Sequence, residues 1–94
     1  MDEIKLGQAQ HRGIRAAELL ENSLLQEAFK DLKILYIEAW LSTTARDTDA
    51  RERLWQAAHC LGKVQDHLKQ HVINGRIAAE DLRRLSEESK RKTK

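Results

Sequence analysis

The sequence predicts an all-α protein, and three observations carry that expectation. There is no proline among its 94 residues and only four glycines, so nothing forces the backbone out of a helix over long stretches. Apolar residues recur at steps of three and four along most of the chain, the period of one helix face. No stretch alternates apolar and polar residues as a half-buried strand would. The expected architecture is an antiparallel helical hairpin extended to three or four helices. Residues 1–89 form one domain and 90–94 a disordered basic tail.

The first helix is expected over about Gln8–Glu21, with Ile14, Ala16, Ala17 and Leu20 apolar. Gly7 and Gly13 weaken its start by up to about 1 kcal/mol each relative to alanine. Asn22-Ser23 interrupts it. Ser23 followed by Gln26 has capping-box spacing, in which each side chain satisfies a backbone donor near the other. Glu27 suits the positive end of the helix dipole. The second helix then runs from Leu24 to about Leu41, with Leu25, Ala28, Phe29, Leu32, Tyr36, Ala39 and Trp40 on one side. Ser42-Thr43-Thr44 is a polar break, and Thr44, Asp47 or Thr48 can cap the next helix.

That third helix is expected over about Asp49–Asn74, with Leu54, Ala57, Leu61, Val64, Leu68 and Val72 near heptad spacing. Asn74-Gly75 reads as its stop, because glycine accepts the left-handed C-terminal conformation. A short fourth helix over about Ile77–Glu88 carries Ile77, Ala78, Leu82 and Leu85. The short linker between the second and third helices makes them antiparallel neighbours.

Two helices carry more apolar surface than one hairpin hides. At 100° per residue, Ile34, Ile37 and Leu41 cluster opposite the main stripe of the second helix. On the third, Trp55, Gly62 and Ile73 project away from the main stripe, and Gly62 leaves room for a close neighbour. A helix apolar on two sides is sandwiched. The first and fourth helices cover these stripes in a monomeric bundle; otherwise another subunit or a partner does. Small chains commonly solve the problem by homo-oligomerisation. Ile34, Ile37, Leu41, Trp55 and Ile73 are the expected partner contacts. Trp40 and Trp55 bracket the loop and are expected to pack together at the hairpin corner.

Charge and chemistry narrow the classes further. The net charge is +2, but Lys90, Arg91, Lys92 and Lys94 supply four positive charges, and without them 13 basic face 15 acidic residues. The body is therefore no basic nucleic-acid surface, and any DNA contact is confined to the tail. The single cysteine, Cys60, has no partner for an internal disulfide, which favours a reducing compartment. The acidic Met1-Asp2-Glu3 start lacks the pattern of a secretory signal. The longest apolar run, Ile34–Ile37, is far short of a membrane span.

Catalysis is not expected. Cys60, His67 and His71 share a flank, but Cys60 and His67 lie about 10 Å apart along a helix axis, too far for one ion. No serine elbow, phosphate-binding glycine loop or buried carboxylate pair is present. The charged segment Ala45–Arg53 mixes signs and reads as a capped helix start. No cofactor, metal or small-molecule substrate is expected.

Several strings resemble a group of small helical proteins of tailed bacteriophages, encoded among virion-assembly genes. They are Arg12–Asn22, Leu24–Phe29, Ala39-Trp40, Ala45–Asp47, Arg51–Trp55, Gly62–Val64 and Asn74–Ala78. The chain departs from that pattern at Ser23, where a proline would follow Asn22. The resemblance implies a viral structural or assembly role in the cytoplasm of a bacterial host or in the virion, and brings no catalytic residue with it. Two alternatives remain open: a DNA-associated packaging accessory using the basic tail, and an inhibitor or regulator of a host protein.

Overall fold

A computed structural model describes residues 2–92, with the side chains of residues 2–91. It has three helices: α1 (Glu3–Glu21), α2 (Ser23–Leu41) and α3 (Thr48–Lys92). No strand occurs among the described residues.

The ends of these helices follow from local hydrogen bonding. Asp2 starts α1 five residues before the expected position. Its carboxylate accepts from the Ile4 N–H at 2.9 Å and its carbonyl from the Leu6 N–H at 3.1 Å, satisfying donors of the first turn. The α2 cap is Asn22 and not Ser23. Asn22 holds an extended conformation, φ −66° and ψ 118°, and its side-chain oxygen accepts from the Leu25 N–H at 2.9 Å. The amide fits an N-cap as well as a hydroxyl does, so the cap moves one residue upstream. Gln26 does reach back, but it donates to the Leu20 carbonyl at 2.6 Å. It thereby ties the last turn of α1 to the first of α2.

After α2, the hydroxyls of Ser42 and Thr43 donate to the carbonyls of Glu38 and Trp40. Asp47 organises the turn into α3. Its carboxylate accepts from both the N–H and the hydroxyl of Thr44 at 3.1 Å, and its carbonyl takes the Arg51 N–H at 2.9 Å.

The largest departure from expectation lies in α3, which absorbs the expected third and fourth helices. Asn74-Gly75 does not end a helix: no glycine has positive φ. Gly75 serves instead as a contact point. A Cβ there would lie 2.8 Å from the Gly13 Cα and 3.1 Å from the Ala9 carbonyl oxygen, and a Cβ on Gly13 would lie 2.8 Å from both the Gly75 Cα and the His71 carbonyl oxygen. The two backbones meet where both residues lack a side chain.

In the segment expected as a tail, α3 runs through Lys90 and Arg91 to Lys92; Lys94 lies outside the described residues. No proline or glycine follows Gly75. Arg83 bonds Glu80 and Glu87, and Arg84 approaches Glu80 and Asp81. These i,i+3 and i,i+4 pairs lie on the exposed surface and support the helix only weakly.

The chain forms two compact units. One joins α1, through Leu19, to the part of α3 that begins at Leu68. Around its glycine crossing, Gly13, Ala16, Gly75 and Ala78 are buried, each alanine only 3% exposed. The other unit is Leu20–His67, which holds α2 and the first part of α3. In it Leu25, Phe29, Tyr36, Ala39 and Trp40 of α2 and Leu54, Ala58 and Leu61 of α3 are half-buried, and no residue is fully buried.

Candidate interaction surface

The Leu20–His67 unit carries an apolar groove of about 250 Å³ lined by Tyr36, Ile37, Trp40, Leu54, Trp55 and Ala58. Helical spacing explains its walls. Tyr36 and Trp40 are one turn apart on α2, with Ile37 on the same flank, and Leu54 and Ala58 are one turn apart on α3, with Trp55 next to Leu54. A second recess of about 480 Å³ adjoins it through Trp40 and Trp55 and is otherwise lined by loop and α3-start residues, Thr48, Arg51 and Glu52 among them.

The two tryptophans are held separately. The Arg51 guanidinium sits 3.8 Å from the Trp40 ring centroid and donates to the Thr43 hydroxyl at 3.0 Å. Trp55 stacks on His59, with ring centroids 5.0 Å apart and planes 10° off parallel. Both rings line the same groove, but no ring stack joins Trp40 to Trp55 among the described residues. The lock expected from the two tryptophans is made by Arg51, whose charge stabilises the face of Trp40.

Of the expected contact residues, Ile37 and Trp55 meet in the groove, 46% and 56% exposed. Ile34 and Leu41 continue the Ile37 stripe along α2 at 44% and 68% exposure. Ile73, 48% exposed, belongs to the other unit and does not line this groove. Sequence reasoning missed Leu24 and Leu35, exposed at 73% and 58%. They are eleven residues apart, hence nearly in line on α2, and that spacing was the available signal. α2 is therefore apolar on the side facing α3 and along two outer stripes.

Apolar side chains are exposed outside these stripes too, Ile4, Ile14, Leu19, Val64, Ile73 and Ile77 among them. Lys90 and Arg91 are exposed at the end of α3, and the turns before them carry the Arg83 and Arg84 ion pairs. Hydrogen bonds from Arg83 hold the Glu80 carboxyl below its usual range, and the same pairing raises the Arg83 guanidinium. Cys60 is exposed. Among the described residues, no cluster of three or more His, Cys, Asp or Glu is placed to hold a metal ion, and no helix is long and apolar enough to cross a membrane. Compared with family models, curated proteins and solved structures, the chain matches none.

Proposed function

We propose that this chain is a non-enzymatic interaction protein that self-associates, or docks on a larger assembly, through the outer apolar face of a hairpin made by α2 and the first part of α3. One observation carries the reading: the Leu20–His67 unit contains no buried residue, while Ile34, Ile37, Leu41 and Trp55 stand 44–68% exposed on it. The three aliphatic side chains already hide about half their surface, so covering the rest is worth roughly 2–4 kcal/mol before ordering costs. That is a large fraction of the stability of a small domain.

A DNA-binding role has less support, because the acids at Glu80, Asp81 and Glu87 engage the arginines preceding the basic end.

Within this class, the resemblance to small tailed-bacteriophage proteins favours a virion-assembly component. Portal, capsid or packaging genes beside its coding sequence are the expected finding; metabolic genes there would remove that part of the reading. The interaction itself is tested by sedimentation at tens of micromolar. The wild type is expected as an oligomer and Ile37→Glu as a smaller, still helical species. A wild type that sediments as a clean monomer overturns self-association.

A further inference from the structure

The self-association proposed above has a definite geometry if the charges flanking the α2 stripe are taken into account. Ile34, Ile37 and Leu41 are spaced by three and four, as the a, d and a positions of a coiled-coil seam are. Lys33 precedes the first of them and Glu38 follows the second, which puts these two at the g and e edges of the same seam. Both are exposed, and neither takes part in an ion pair within the described chain. Five residues turn a helix through about 140°, so they lie on opposite flanks of the stripe and cannot meet each other on one helix.

We infer that α2 pairs in parallel with α2 of a second copy of this chain, Lys33 of each copy facing Glu38 of the other across the Ile34–Ile37–Leu41 seam. In a parallel pair, a g residue faces the e residue five positions further along the partner. Lys33 and Glu38 have that separation, and two-fold symmetry makes the contact twice. In an antiparallel pair, like edges face each other: the Lys33 edge meets the partner's Lys33 edge, the Glu38 edge its Glu38 edge, and neither charge gains an opposite partner.

The neighbouring positions limit the seam. Lys30 and Glu27 take the next d and a places, so the apolar contact ends one turn before Ile34. Thr44, the next d place at the other end, lies beyond α2. Leu25, Phe29 and Tyr36 lie well round the helix from the seam, whereas Trp40 takes the g place one heptad after Lys33, so the Lys33 edge of the seam borders α3.

Charge reversal tests this. Sedimentation equilibrium at low salt is run on the wild type, Lys33→Glu, Glu38→Lys and the double variant, with circular dichroism showing that each remains helical. Each single reversal sets like charges together at both contacts and is expected to weaken association by about 5- to 30-fold, within the range of interfacial charge pairs. The double variant restores association to within about threefold, and the differences shrink in roughly 0.5 M salt as screening grows. Singles that associate like the wild type, or a double variant as weak as the singles, overturn the parallel α2 pairing while leaving self-association in place. A wild type that is monomeric removes both.

Discussion

At the crossing of α1 with the later part of α3, the residues that are buried are the smallest the chain has: Gly13, Ala16, Gly75 and Ala78. In the Leu20–His67 unit the residues are the largest, with both tryptophans, the tyrosine and the phenylalanine, and none is fully buried. The first region gains its packing from backbone proximity, where dispersion contacts are dense because no side chain intervenes. The second has large apolar side chains on a two-helix layer too thin to enclose them. The contrast is one of packing. The glycine crossing holds its two helices by backbone approach, although Ile14, Ile73 and Ile77 stand exposed in that unit, whereas the aromatic unit relies on large side chains that stay half-buried or exposed.

The largest effect is expected at the crossing. Gly75→Val places a branched side chain where even a Cβ would be 2.8 Å from the Gly13 Cα. It should cost about 3 kcal/mol or more, since backbone must move on both helices; urea denaturation monitored by circular dichroism measures this. A loss below about 1 kcal/mol would mean that the close approach is not what holds α1 to α3. At the exposed face the order reverses: Ile37→Glu should change association far more than the stability of the chain.

Arg51→Ala makes a finer cut within the aromatic unit. It removes the cation over Trp40 and the hydrogen bond to Thr43. A loss of about 1–2 kcal/mol is expected, with a change in tryptophan fluorescence as Trp40 becomes more mobile. The smallest effect, of opposite sign, belongs to Gly62→Ala. Nothing lies within 4 Å of a Cβ there, so the substitution should gain up to about 1 kcal/mol from helix propensity alone. A loss of thermal stability at Gly62 would show that another molecule approaches this glycine as closely as Gly13 approaches Gly75.

The helical class, the three boundaries near residues 22, 42 and 48, and the apolar character of the Ile34–Ile37–Leu41 stripe were legible in the sequence, because capping and helical periodicity are local properties. Asn22 and Ser23 compete for one cap, and the sequence does not rank two good N-cap residues one position apart. Asn74-Gly75 misled for a deeper reason. A glycine succeeded by a helical pattern is locally identical whether it stops one helix or lets a second backbone approach. Only the position of Gly13, some sixty residues earlier, distinguishes these cases. The Arg51–Trp40 contact was hidden in the same way, since arginines in a mixed-charge segment look solvated until their neighbours are known. Local pattern was enough to tell which segments are helices and which of their faces are apolar. Which glycines meet, which ring each cation covers and which apolar faces remain open came only with the folded chain, because those depend on contacts between residues far apart in the sequence.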